Sequence, residues 1–244
     1  MPQCRFLCLA LSRRDGGYCA AGLDLDTGNW VRPLNPKTSS LCKADIFVQE
    51  PSTSAVQPMR VLDIVSLPLD HATPSSTQPE NWLLQTLRLN SFPQLLSHAQ
   101  QDGSVLQCLR DIADSSSSHP FLFGDAGASV THQHLLERPL GHSLSLIRPL
   151  DLVWVRSTDI HGNPRVRADF SYGRSQQRYI LPVTDIEYER RLLEATENRG
   201  PRLGAKDMYS ENAPEFLFTA SLGENFPVTN RHYKLIAGVL EVPK

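Results

Sequence analysis

The segment from Arg165 to Tyr172 is the part of this sequence best suited to bind a charged ligand. It alternates strictly between polar and apolar residues, which is typical of a β-strand with one buried face. The buried face would hold Val166, Ala168, Phe170 and Tyr172, and the other face Arg165, Arg167, Asp169 and Ser171. Arginine makes bidentate contacts with phosphate and stacks on bases. The polar face is therefore a candidate polyanion site, with cross-strand ion pairs or a protein interface as the alternatives.

Arginine is concentrated around this strand. Residues 148–178 contain six arginines, three aspartates and no lysine or glutamate, whereas the whole chain has a formal net charge of −2. A nucleic-acid site must then be a local patch rather than a property of the whole surface. The candidate binding residues in this segment are Arg165, Arg167, Arg174 and Arg178.

Trp30 and Arg32 form a second candidate site in the first half of the chain. Alternation places both on one face of a predicted strand, together with Leu34. Proteins that bind single strands combine aromatic platforms with a basic groove, and these two residues would supply one of each. The alternative is a Trp30 buried in a barrel and an Arg32 paired with Asp24 or Asp26.

The run Gln78-Pro-Glu-Asn-Trp82 is a tight polar segment with two interpretations. In the first, Glu80 and Asn81 cap a following helix while Trp82 packs onto a barrel. In the second, Glu80 and Asn81 line a pocket and hydrogen-bond a ligand.

The sequence favours a binding protein over an enzyme. His132-Gln-His134, with Asp125 and His142 nearby, is the nearest approach to a metal cluster, but residues 124–134 resemble a loop and no third ligand has diagnostic spacing. Phosphate-binding loop, dinucleotide-binding, zinc-protease and nucleophile-elbow motifs are all missing from the sequence. We therefore predict no catalytic residues, no metal and no cofactor.

Composition places the chain among globular proteins of one large or two small domains. It has 244 residues, of which 40% are hydrophobic and 20% charged, and its 18 prolines suit a loop-rich β protein. The sequence predicts neither a signal peptide nor a membrane span. Five cysteines without a C-x-x-C pair indicate a reducing cytoplasm, with Cys4 and Cys8 as small core residues.

Runs of strand length occupy both ends of the chain. Turns at Asp15-Gly16-Gly17 and Asp26-Thr27-Gly28 predict a three-stranded meander over residues 4–34, followed by strands at 46–49 and 59–67. Later strands are predicted at 143–147, 152–155, 165–172, 177–183, 215–222 and 233–240. Each group is the size of a small β-barrel.

Helical periodicity appears mainly in the middle of the chain. Apolar spacing over residues 80–113 predicts two short helices, one of them starting at Ser91-Phe92-Pro93. Thr184 and Glu187 have capping-box spacing and predict a helix over about 185–196. The predicted organisation is a first barrel at 1–78, a helical segment and connection at 79–140, and a second barrel at 141–244.

Several segments together resemble the dual OB-fold domain family, a largely uncharacterised group of prokaryotic proteins. The resemblance rests on their order along nearly the whole chain, and it is weakest over residues 83–140. The matching segments are 18–34 (YCAAGLDLDTGNWVRPL), 62–67 (LDIVSL), 78–82 (QPENW), 167–172 (RADFSY), 181–185 (LPVTD), 221–224 (SLGE) and 233–238 (YKLIAG).

The resemblance implies two OB-like barrels and a context in bacterial conflict or phage defence. It implies binding of nucleic acid, most simply single-stranded, or of a nucleotide, and it transfers no catalytic residue. The alternative is a scaffold or sensor subunit that contacts other defence proteins and has no affinity for nucleic acid. Both interpretations place the protein in the cytoplasm, without a membrane partner.

Overall fold

The computed structural model describes residues 3–14, 16–85, 92–209 and 213–243. Strands account for 49% and helices for 21%, which confirms the prediction of a mostly β chain. The chain divides into two compact units, Met1–Leu106 and Gln107–Lys244. Among the described residues, no helix is both long and apolar enough to cross a membrane.

Eight strands form the sheet of the first unit. They are β1 (Gln3–Arg14), β2 (Gly17–Asp24), β3 (Trp30–Leu34), β4 (Phe47–Gln49), β5 (Val56–Pro58), β6 (Asp63–Ala72), β7 (Asn81–Leu84) and β8 (Gln94–His98). Five of them close into a ring in the order β1-β2-β3-β7-β6-β1, in which only the β3–β7 pair is parallel. β8, β4 and β5 extend the sheet beyond β6. The ring is an OB-like five-stranded barrel.

The inward residues of these strands fill the first barrel. Alternation along β1 and β2 turns Phe6, Cys8 and Ala20 toward the core, and Cys4 joins them as predicted. Strand β2 also passes unusually close to β1, since a Cβ at Gly22 would lie 1.9 Å from the carbonyl oxygen of Leu7. Only glycine permits that approach.

The second unit repeats the same strand order in a more open form. Its strands are β9 (Ser129–Thr131), β10 (Leu144–Ile147), β11 (Leu150–Thr158), β12 (Pro164–Tyr172), β13 (Gln177–Pro182), β14 (Arg202–Gly204), β15 (Glu215–Phe226) and β16 (Arg231–Val242). β10 and β11 act as the two halves of one bent strand, since β10 pairs with β15 and β11 with β12. β13 reaches β16 through a single parallel bridge, Val183–Ile236. Two OB-like barrels are thus confirmed, the second only partly closed.

An aromatic cluster forms the core of the second barrel. Trp154 on β11 is fully buried, and its ring centroid lies 5.5 Å from those of Tyr188 and Phe218 and 5.9 Å from that of Phe216. Such ring pairs add to the stabilisation that burial of their area provides.

The described residues also form four α-helices and three short 3₁₀ helices. The α-helices are α1 (Gly103–Ser116), α2 (His132–Glu137), α3 (Ile186–Arg199) and α4 (Ala205–Tyr209), and the 3₁₀ helices are Lys43–Ile46, Ala99–Gln101 and Leu122–Gly124. The prediction of two helices over 80–113 is wrong in its first half, where β7 and β8 lie. The predicted start at Ser91 falls outside the described residues, but Pro93 is not helical and a strand follows it. β7 and β8 have only four and five residues, so the polar–apolar alternation typical of a strand is too short to be recognised there, and the apolar residues fit a helical spacing instead.

The helix predicted over 185–196 is present as α3, but its cap is Asp185 rather than Thr184. Oδ1 of Asp185 accepts a hydrogen bond from the backbone N–H of Tyr188 at 2.8 Å. Oδ2 accepts one from the backbone N–H of Val239 at 3.0 Å, so the same carboxylate joins α3 to β16. Burial raises the pKa of Asp185 from 3.8 to about 6, against the opposing effect of these backbone hydrogen bonds.

Asp185→Ala should lower the free energy of unfolding by about 2–3 kcal/mol, because it removes a helix cap and leaves the buried Val239 N–H without its acceptor. Because the pKa is raised in the folded state, Asp185 stabilises the fold most below about pH 4, and this contribution declines as pH rises through 6. Urea unfolding at pH 5 and pH 7 should therefore show the larger difference between wild type and variant at pH 5. The free energy of unfolding of Asp185→Asn, which keeps one acceptor oxygen, should lie between those of the wild type and Asp185→Ala. Equal stability of all three proteins would refute this role of Asp185.

Candidate nucleic-acid interface

The sheet β13-β12-β11-β14 presents the predicted polar face of β12 to the outside of the second barrel. The four apolar residues of β12, Val166, Ala168, Phe170 and Tyr172, are all buried in the aromatic core, which confirms the predicted division of faces. The outward row of β12 is therefore Arg165, Arg167, Asp169 and Ser171. We call this outer surface of β11–β14 the arginine face.

Asp169 lies at the centre of the arginine face, between an arginine on the neighbouring strand β13 and an arginine on β14, which lies beyond β11. Its Oδ1 accepts a hydrogen bond from Nε of Arg178 on β13 at 2.7 Å, and its Oδ2 accepts one from Nη2 of the same residue at 2.7 Å. Nη2 of Arg202 on β14 donates to Oδ2 at 3.2 Å. The hydrogen bonds from Arg178 lower the pKa of Asp169, burial opposes this, and the bond from Arg202 adds to the lowering.

The other arginines of this face differ in how far they are neutralised. Arg165 lies 3.3 Å from a carboxylate oxygen of Asp159 and 3.7 Å from one of Glu189. Arg167 is exposed, and its side chain has no hydrogen bond or ion pair within the described parts of the chain. Of the two arginines on β12, Arg167 therefore has the charge that is more available to a ligand.

Arg174 is exposed in the turn between β12 and β13. Residues 116–120 pack against this turn. The hydroxyl of Tyr172 donates to the carbonyl of Ser116 at 2.7 Å. Gly173 adopts a φ of 73°, and a Cβ there would lie 2.4 Å from the carbonyl oxygen of His119. The turn therefore packs directly against residues 116–120, and a side chain at position 173 would disturb this contact.

The face predicted to hold Trp30 and Arg32 is not open. Arg32 is only 4% exposed, and its Nε and Nη2 lie 3.1 and 2.9 Å from Oε1 of Glu80. The carboxylate in this buried ion pair is that of Glu80, which the sequence did not suggest, and Asp26 pairs with Arg5 instead. Trp30 is partly exposed beside this ion pair. The neighbouring outward residues Ala21 and Leu23 on β2 are also buried.

Glu80 also corrects the interpretation of the run from Gln78 to Trp82. A strand rather than a helix follows this run directly, because Asn81 opens β7, so neither Glu80 nor Asn81 caps a helix there. Trp82 packs against the core of the first barrel, as predicted. The side chain of Glu80 is 2% exposed and serves as the counterion of Arg32.

The His132-Gln-His134 segment is a helix start rather than a loop. Thr131 caps α2 by accepting a hydrogen bond from the backbone N–H of His134. Nδ1 of His132 lies 3.0 Å from Nε2 of His232, and the two rings stack. Within the described residues, no three histidine, cysteine or acidic side chains are arranged to hold a metal ion.

Sequence reasoning missed Arg202, which also binds Asp169, through one hydrogen bond where Arg178 makes two. It lies in β14, a strand of three residues that ends at Gly204, and so short a strand has no readable alternation. It also missed that Asp169 is buried beneath the arginines. The one sequence signal for this cluster was the strict alternation of β12, which places Asp169 on the same face as Arg165 and Arg167.

A family model described as a dual OB-containing domain matches residues 4–239, which is nearly the whole chain. No curated protein and no solved structure matches the chain.

Proposed function

Because this chain belongs to the dual OB-containing domain family, we propose that it is a binding protein whose arginine face recognises single-stranded nucleic acid. OB-fold domains generally bind oligonucleotides or oligosaccharides, and they use the outer face of their second and third strands. In the second barrel these strands are β12 and β13. Arg167 and Arg178 lie on that face and are exposed.

The exposed arginines are the observation that supports nucleic acid over oligosaccharide. A guanidinium matches the geometry of a phosphate, and neutralising a chain of phosphates releases counterions. A neutral sugar offers no such charge. In the first barrel, the corresponding face has its arginine buried in an ion pair with Glu80, so we assign binding to the second barrel.

A protein-contacting scaffold or sensor is the second candidate. It is favoured by Ile180 and Leu150, which lie on the arginine face and are 46% and 40% exposed. Exposed apolar residues among arginines also occur in protein interfaces. Recognition of a free nucleotide, a context in bacterial defence with other defence proteins as partners, and a cytoplasmic location stay predictions.

Fluorescence anisotropy of a labelled single-stranded 20-mer separates the two candidates. At about 50 mM salt the nucleic-acid binder should raise the anisotropy, and its affinity should fall steeply by 200 mM salt because phosphate contacts release counterions. Unlabelled oligosaccharide should not compete. A scaffold should leave the anisotropy unchanged even at about 50 mM salt, and that result would contradict the proposal.

A further inference from the structure

The carboxylate of Asp169 is buried although both of its arginine partners are exposed. The side chain of Asp169 is 5% exposed, whereas those of Arg178 and Arg202 are 66% and 56% exposed. Exposed arginines usually sample many rotamers, and a surface ion pair alone contributes little stability. A buried acid that joins two exposed cations therefore does more to orient them than to hold the fold together.

The geometry of the Arg178–Asp169 pair leaves one edge of the guanidinium available. A guanidinium has five N–H donors, and Arg178 gives Nε–H and one Nη2–H to Asp169. Three donors remain, and two of them, one Nη1–H and the second Nη2–H, point in parallel from the end-on edge. Arg202 uses a single Nη2–H on Asp169. Within the described residues, neither side chain makes another hydrogen bond.

We propose that Asp169 is a positioning residue that holds the guanidinium groups of Arg178 and Arg202 ready to receive the paired non-bridging oxygens of a backbone phosphate. This inference rests on the proposed function and identifies the backbone phosphate as the group of the nucleic acid that these arginines bind. The end-on edge of Arg178 offers two parallel N–H donors, which is the arrangement that a phosphate accepts in bidentate fashion. A side chain already fixed by Asp169 loses less freedom when the ligand binds.

Asp169→Asn gives a test in which positioning and simple charge predict opposite signs. The substitution makes the face more positive by one charge, so electrostatics alone would tighten binding of a polyanion. If Asp169 positions the arginines, affinity for a labelled single-stranded oligonucleotide should instead fall by about tenfold, since two side chains must then be ordered on binding. Asp169→Glu should recover part of the loss.

Asp159→Asn is the matched control, because Asp159 also pairs with an arginine of this face but is not placed between two of them. It should bind the same oligonucleotide as tightly as wild type or more tightly. Arg178→Lys tests the same idea without a change of charge and keeps the inference testable should Asp169→Asn fail to fold. The single ammonium of lysine cannot bind Asp169 and a phosphate through two separate edges, as a guanidinium can. This variant should therefore also lose about tenfold in affinity for the oligonucleotide.

The outcomes are distinguishable. Absence of binding by the wild type would refute the proposed function itself. Binding by the wild type, with Asp169→Asn as tight as or tighter than wild type, or with Arg178→Lys unchanged, would refute only the positioning role. The losses should be equal for oligo(dT) and for guanine-containing strands, since phosphate contacts read no sequence. A loss confined to guanine-containing strands would overturn the assignment to phosphate.

Discussion

Glu80→Ala should lower the free energy of unfolding by about 3–5 kcal/mol, which is the usual effect of removing one partner from a buried ion pair. The side chains of Arg32 and Glu80 are 5% and 2% exposed, and their closest nitrogen and oxygen are 2.9 Å apart. The substitution would leave the buried guanidinium without this carboxylate. Urea unfolding followed by circular dichroism measures the change.

A double variant provides the control for this ion pair. Arg32→Met combined with Glu80→Leu removes both charges and replaces them with apolar groups, so it should be more stable than Glu80→Ala alone. Glu80→Gln should be intermediate, since it keeps an acceptor but not the charge. Wild-type stability of Glu80→Ala, within about 1 kcal/mol, would show that the pair resembles an exposed salt bridge.

Arg167→Ala combined with Arg178→Ala should weaken binding of a single-stranded oligonucleotide by about 100-fold or more at low salt, because each hydrogen bond to a charged group contributes about 1.5–3 kcal/mol. Arg167 has no competing partner in the described parts of the chain, and Arg178 retains its end-on edge for a ligand. The loss should be similar for strands of different sequence, since phosphate contacts are independent of sequence. Anisotropy titrations measure it.

A control of equal charge separates a local contact from the general field of the protein. Arg190→Ala with Arg199→Ala also removes two positive charges, but from α3, where Arg190 pairs with Glu187 on its own helix. At the same salt concentration this protein should lose much less affinity than the Arg167 and Arg178 double variant, since charges that do not contact phosphate contribute only to the general field of the protein. Thermal unfolding should confirm that both variants fold. Equal losses in the two double variants would place the site elsewhere.

Local patterns were enough to predict the longer strands and the two faces of β12. Alternation depends only on neighbouring residues, and a strand of nine residues such as Pro164–Tyr172 repeats it often enough to be read. The meander at the start of the chain was equally readable because its strands are joined by glycine-containing turns. These features required no knowledge of distant parts of the chain.

Contacts between distant segments could not be predicted in the same way. Arg32 and Glu80 are 48 residues apart and meet only because β3 and β7 pair in parallel. Arg202 reaches Asp169 across β11, from a strand of three residues. For Arg32, the pattern predicted that its side chain shares one face of a strand with Trp30, but whether that face is buried depends on tertiary structure.

The salt dependence of binding tests the arginine face most directly. For the wild type, the logarithm of the association constant should fall linearly with the logarithm of salt concentration, by about 0.7 for each phosphate contacted on a single strand. Loss of Arg167 and Arg178 should then flatten this slope by about 1.4, while the α3 control keeps the wild-type slope. A double variant with the wild-type slope, or a wild type whose binding is insensitive to salt, would contradict the account.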